Sequence, residues 1–266
     1  MSVINVICIK WGNVYNADDV NKLFRAIKRN TSFDIAFYCF SEITEGLEDG
    51  IIIKALPTLQ VSEKYQKTGY LKEAGLCDNN LGGLNGKRVF FFDLDSLIVG
   101  NLDDLFSYPQ GDNFYIINDW RNRKGKKKNK VGQASCYSFL VGTLGFIKNF
   151  FEEYPDEVWQ KYRTASQEFL SAKVIEKYGY LHFWPDDWFK SFRFHCMPHP
   201  LFRYFFAPTI PKAKGLKMIA FHGVTGISQA LKGVWCDDKS HKKYPKGLSK
   251  LYKHVRKTKW IENYWR

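Results

Sequence analysis

The chain has 266 residues, 45% of them hydrophobic and 25% charged, with a formal net charge of +13. A chain of this length buries about 75% of its unfolded surface, enough for a sizeable core. No apolar run approaches the roughly 18 residues of a membrane-spanning helix, so that class is excluded, and the basic balance favours polyanionic partners: nucleic acid, an anionic membrane surface or a phosphorylated substrate.

The first nine residues carry no basic leader and no small-residue cleavage site, and they read as a first strand, not a signal peptide. Residues 10–15 form a turn. Asn16 is a good helix N-cap, and Val20, Leu23, Phe24 and Ile27 follow at the spacing of one helix face. Tyr15 and Val20 stand at the two positions of a hydrophobic staple. Strands are expected over 34–40 and 50–56, the second stopped by Pro57, then a helix over 70–76 and a Gly-rich loop over 80–86. That loop is a poor phosphate-binding loop: it is one residue short between glycines, lacks Ser or Thr after Lys87, and precedes a strand. No G-x-G-x-x-G follows the first strand, which argues against a dinucleotide oxidoreductase.

Arg88-Val89-Phe90-Phe91-Phe92 reads as a strand buried on both faces, and Asp93 and Asp95 stand at its mouth. Two carboxylates there are costly unless a cation meets them. Hard cations take oxygen ligands, and magnesium or manganese keeps positions open for substrate phosphates. The pair is therefore a candidate metal and diphosphate site. Residues 96–99 continue apolar, Gly100-Asn101 turns the chain, and Leu102-Asp103-Asp104-Leu105-Phe106 follows.

In the second half, strands are expected over 114–117 and 136–141, with a basic loop over 124–130 between them. Helices follow over about 144–154 and 167–177, and a late strand over 218–221 ends at His222-Gly223. The β-α-β-β-α-β order of the first half predicts one α/β domain with a mostly parallel central sheet flanked by helices, its ligands lying outside the carboxyl ends of the strands. This domain is expected over 1–238. Residues 239–266 form a basic, aromatic tail that reads as a solvated tail, a membrane-surface anchor or a nucleic-acid contact. The six cysteines show no C-x-x-C pair. Cys8, Cys39 and Cys136 lie in apolar runs, as reduced core cysteines do, which favours a cytosolic protein with no metal role for cysteine.

The frame around Asp93 and Asp95 resembles the metal- and nucleotide-sugar-binding strand of GT-A glycosyltransferases, particularly glycogenin and bacterial lipooligosaccharide galactosyltransferases. There a D-x-D strand runs into an apolar segment and then N-[IL]-x-[DE]-L-[FW], which residues 101–106 match. The resemblance implies the GT-A fold and transfer from a nucleotide sugar, a UDP-sugar, to a hydroxyl of a glycan or glycolipid. It implies Asp93, Leu94 and Asp95 at the donor diphosphate, and Mn²⁺ (or Mg²⁺) held by Asp93, Asp95 and His222. The imidazole favours manganese. Phe221-His222-Gly223 resembles the F-H-G of related bacterial GT-A proteins, without the proline that usually follows, and Gly223 would approach the diphosphate.

Lys10, Trp11 and Tyr15 fall where these families hold the nucleotide base, with Tyr15 equally a staple residue. Lys72 resembles the helix lysine directed toward the donor, and is equally a surface lysine. Ala134-Ser135 falls on an N-S-[GS] segment with only Ser135 matching. Residues 166–170 match D-Q-D-x-L, placing Gln167 under the anomeric face while Ser166 replaces an acid. Residues 185–193 match P-x-x-W-x-x-S-[FY]-[KR]: Trp188 would stack on a sugar and Asp186 or Asp187 bind its hydroxyls, or the segment is aromatic core. Glycogenin implies retention of configuration; inversion would need Asp186, Asp187 or Glu168 as base. An acceptor linked to lipid would place the enzyme in the cytoplasm, on the inner membrane face through its tail. Two alternatives stand beside this. One is a haloacid dehalogenase-like phosphatase with Asp93 as nucleophile and Asp95 as acid. The other is a non-enzymatic polyanion- or RNA-binding protein, although nucleic acid is not the expected partner.

Overall fold

The computed structural model describes residues 3–121 and 130–266; the expected basic loop over 124–130 falls, Lys130 excepted, outside the described residues. The chain forms two compact units, one of residues 1–24, 32–94 and 103–184, the other of 25–31, 95–102 and 185–266.

The first unit opens with β1 (Ile4–Lys10), which runs parallel to β2 (Ile35–Ser41) in register from Ile4 opposite Ile35 to Lys10 opposite Ser41. Between them, α1 spans Ala17–Arg29. Its start is closed reciprocally: the Asp19 amide donates to Asn16 Oδ1 at 3.1 Å and the Asn16 amide to Asp19 Oδ2 at 3.0 Å, satisfying donors the helix leaves unpaired. Val20, Leu23, Phe24 and Ile27 are all buried, as their spacing predicts, and Tyr15 is half-buried.

The short strand β3 (Ile51–Lys54) lies at the sheet edge with Ile52 and Ile53 exposed. Two four-residue helices follow, α2 (Glu63–Gln66) and α3 (Tyr70–Glu73). The helix expected over 70–76 thus stops at Glu73 and tightens into a 3₁₀ turn over Gly75–Cys77. Gly75 lies tight against the Pro57 ring, where a Cβ would sit 3.1 Å from Cγ. Next comes β4 (Arg88–Phe92), whose residues 89–92 are buried, as a strand covered on both faces requires.

After Asp95 the chain forms β5 (Ser96–Ile98), and then α4 (Asp103–Ser107), β6 (Tyr115–Asn118), β7 (Gly132–Leu140), α5 (Gly145–Glu153), α6 (Pro155–Tyr162), α7 (Ser166–Tyr178) and β8 (His182–Phe183). The main sheet runs β3-β2-β1-β4-β7-β6-β8. The pairs from β3 to β4 and the pair β6–β8 are parallel, while β7 is antiparallel to both its neighbours. This is the mostly parallel α/β sheet expected from the element order, with a reversal at β7. Aromatic stacking fills its core: Tyr70 on Phe151 at 4.5 Å and Phe91 on Tyr137 at 4.6 Å between ring centroids.

The second unit carries β5, β9 (Phe189–Ser191), β10 (Met218–Ala220) and α8 (Ile227–Lys232), with β10 antiparallel to β5 and parallel to β9. Gly100 turns the chain after β5 where nothing larger fits, since a Cβ would run into the carbonyl oxygen of Leu216. Residues 239–266 are part of this unit. Val255, Thr258, Ile261 and Trp265 are buried, the Thr258 amide donates to Ala230 O at 3.0 Å, and Arg29 donates to the carbonyls of Tyr264 and Arg266, both at 2.8 Å. Among the described residues no helix is long and apolar enough to cross a membrane. All six cysteines are free and buried.

Candidate active site

In the first unit the site begins where β4 ends. The Asp93 amide donates to Ser135 O at 2.9 Å, extending the pairing with β7 by one residue and fixing the Asp93 backbone. Its carboxylate takes two donors: Lys72 Nζ at 2.6 Å on Oδ2 and the Leu94 amide at 3.1 Å on Oδ1. Lys72 comes from α3, and its ammonium also lies 3.4 Å from Glu73 Oε1. The Tyr137 hydroxyl donates to the Lys72 carbonyl at 3.3 Å, tying this short helix to β7.

Glu73 is buried, and burial pushes its carboxyl up from the ordinary glutamate range; the Asp93 charge adds to this, while Lys72 and the Ser166 hydroxyl oppose it. The serine that replaces the expected acid at 166 is therefore adjacent to a carboxylate supplied from α3. Glu73 was not singled out from sequence. Its signal is an acid among apolar positions, beside a lysine one residue away. Gln167, in the first turn of α7, accepts the Ala134 amide on Oε1 at 3.4 Å. Ser135 is clasped by Gln133, which accepts its amide at 3.0 Å and donates to its hydroxyl at 2.7 Å. The unit thus gathers Lys72, Glu73, Asp93, Ser135, Ser166 and Gln167 at one edge of the sheet. Glu168 contributes to the field on Arg121, whose guanidinium is held mainly by buried Asp119.

Lys10 closes β1, buried, with Nζ donating to Gly12 O at 3.3 Å. The same turn is held by Glu42, which accepts the Gly12 amide and pairs with Lys67 at 3.0 Å. Trp11 packs half-buried against the core.

In the second unit, strand register brings together what the sequence separates. The Phe221 amide donates to Asp95 O at 3.0 Å, continuing the ladder in which Ser96 faces Ala220. His222 therefore follows directly on the residue bonded to Asp95. Its Nε2 lies 2.7 Å from Ser191 Oγ on β9, and that hydroxyl also accepts the Phe194 amide. Gly223 turns the chain at a φ of 99°, a left-handed conformation that suits glycine. A cleft of about 120 Å³ opens beside His222, lined by Arg193, Thr225, Trp235, Lys243 and Lys253 among others. Asp187 is paired with Lys190 at 2.7 Å, and Asp186 offers its carbonyl to the same ammonium at 3.1 Å. Trp188 is half-buried, with Lys217 Nζ 4.5 Å from its ring centroid.

The donor chemistry of Asp93, Asp95 and His222, two carboxylates and an imidazole, fits a divalent cation. Among the described residues no group of three or more His, Cys, Asp and Glu side chains is gathered into a cage for one.

The element order and the reversal at β7 match the GT-A fold. No protein-family model matches the sequence, and no curated protein is significantly similar to it. Solved structures are. The chain is similar to galactosyltransferase LgtC, crystallised with donor and acceptor sugar analogues, at a TM-score of 0.57 and 12% identity over 99% of this chain and 97% of that one. An active-site mutant of LgtC gives 0.56 and 13% over 90% and 92%. The bifunctional glycosyltransferase WbbM gives 0.50 and 12% over 72% of this chain, which spans 40% of that longer protein. At such identities the likeness is one of fold.

Proposed function

We propose that this chain is a metal-dependent glycosyltransferase that moves a sugar from a nucleotide-diphosphate donor, a UDP-sugar, to a hydroxyl of a glycan or glycolipid. The observation that carries the proposal is the hydrogen bond from Phe221 to Asp95, which seats His222 at the strand end neighbouring the second aspartate of the D-x-D segment. The GT-A fold supports it.

In this reading Asp93, Asp95 and His222 hold Mn²⁺ or Mg²⁺, which when bound supplies Lewis-acid neutralisation of the departing nucleoside diphosphate. Lys72, held against Asp93, adds a positive charge on the donor side of the sheet edge. Lys10, Trp11 and Tyr15 frame the base, and Gly223 lets backbone approach the diphosphate. Gln167, anchored through Oε1 to the Ala134 amide, presents its amide beneath the sugar. Of the carboxylates that could act as a base for inversion, Asp187 is tied to Lys190. That pairing, with Gln167 beneath the sugar, supports retention as the reading.

The test is thermal unfolding of the full chain with a panel of nucleotide sugars, with and without Mn²⁺. A ligand at 100 times its Kd adds about 2.7 kcal/mol, which for a chain of this size is a rise of about 5–10 °C. The rise should require Mn²⁺ and vanish in Asp95→Asn, as should slow hydrolysis of the donor. If no nucleotide sugar raises the midpoint in the presence of Mn²⁺, the proposal fails.

A further inference from the structure

The second unit exposes large apolar side chains from two segments that sequence keeps apart. In the first, Leu201, Phe205 and Phe206 are 75%, 70% and 60% exposed, with Phe202 and Tyr204 half-exposed between them. In the second, Leu248 and Leu251 are 83% and 62% exposed, next to Tyr252. Arginines clasp the segments together. Arg203 donates to Tyr252 O at 2.6 Å, Arg256 donates to the carbonyls of Tyr204 and Phe205 at 3.1 and 3.0 Å, and His254 stacks on the Tyr204 ring at 4.2 Å. Scattered single apolar residues need no explanation, but a fixed patch of this kind does.

Charge identifies the occupant. The sequence has no acidic residue from Trp188 to Cys236 and none from Lys239 to Ile261. Lys246, Lys250, Arg256, Lys257 and Lys259 are exposed around the patch. Tyr204 and Phe205 also form one wall of a groove of about 870 Å³ whose other lining includes Lys232, Arg256, Lys257 and Lys259. A second copy of the chain would bring like charge against like. Nucleic acid would answer the cations but give exposed leucines nothing to pack on. An anionic bilayer interface answers both: aromatic rings settle at headgroup depth, aliphatic side chains enter the acyl boundary, and Lys and Arg face anionic headgroups.

We propose that the second unit docks on anionic bilayers through this surface, with Leu201, Phe202, Phe205, Phe206, Leu248 and Leu251 entering the interface. The apolar half of the device thus lies largely upstream of the basic tail that the sequence alone suggested, and the proposal does not depend on the transferase reading.

The test is co-sedimentation of the full chain with phosphatidylcholine vesicles and with mixed phosphatidylcholine–phosphatidylglycerol vesicles. Wild type should bind the mixed vesicles and lose them in high salt. Leu201→Ser/Phe205→Ser/Phe206→Ser, all on exposed positions, should weaken binding more than about tenfold. Lys250→Ala/Lys257→Ala should weaken it about fivefold per residue removed. Both variants should keep the wild-type melting midpoint, which shows that they fold. Equal binding to both vesicle types, or unchanged binding by the serine variant, would overturn the proposal. So would a wild-type dimer, or tight RNA binding, that the serine variant abolishes.

Discussion

Replacing Lys72 with Met removes one ammonium from two carboxylates at once. Its Nζ lies 2.6 Å from Asp93 and 3.4 Å from Glu73, with Lys72 and Asp93 less than one-fifth exposed and Glu73 almost fully enclosed. Removing one partner of a buried pair costs about 3–5 kcal/mol because the other charge is stranded. The partial solvent access here sets the expectation near the lower end, about 3 kcal/mol, or a fall of about 9 °C in melting midpoint. Asp93→Asn is a milder change: Lys72 keeps Glu73, and the cost should be about 1 kcal/mol. Adding Asp93→Asn to Lys72→Met removes a stranded carboxylate, so the double variant should be more stable than Lys72→Met alone. Circular-dichroism melts of the four proteins complete the cycle. Equal and additive single effects would show that Lys72 does not neutralise this edge and would refute the reasoning.

Gly100→Ala should cost about 2 kcal/mol, because a methyl group there meets the Leu216 backbone and the turn after β5 must shift; a urea midpoint measures it. Glu73 gives a pH dependence. Since its folded carboxyl titrates above the unfolded one, the native state holds the proton longer, and stability falls as pH rises from the ordinary glutamate range through the raised value. Glu73→Gln should therefore gain stability over wild type as pH rises across that window and show no gain below it. Melting midpoints from about pH 4 to about pH 8 check this, and an advantage that shrinks with rising pH contradicts it.

Much of the main sheet was legible because its signals are local. The apolar run 88–92 could only be a strand covered on both faces, and Asn16 with the apolar spacing behind it could only open a helix. Helix α6 was missed although Pro155 followed by Asp156 and Glu157 is a start signal, and α2 was missed because four residues carry no periodicity. The departure of β5 into a second sheet was not legible, because residues 96–99 read as the same apolar strand until their distant partners are known. The same holds at the candidate site. Asp93 and Asp95 at the end of an apolar run are a local pattern, but Glu73 beside Ser166 and the Ser191 hydroxyl on His222 are tertiary juxtapositions with no local mark.

The second unit is sewn from three separate stretches of chain, with β5 made early and its partner β10, along with β9 beyond it, made late. On the ribosome, Leu97 and Ile98 must wait, bare of any strand companion, until Met218 and Ile219 emerge. Such long-range closure is slow and leaves a sticky edge exposed meanwhile. A nascent chain truncated before β9 should therefore call on chaperones far more than the finished protein does.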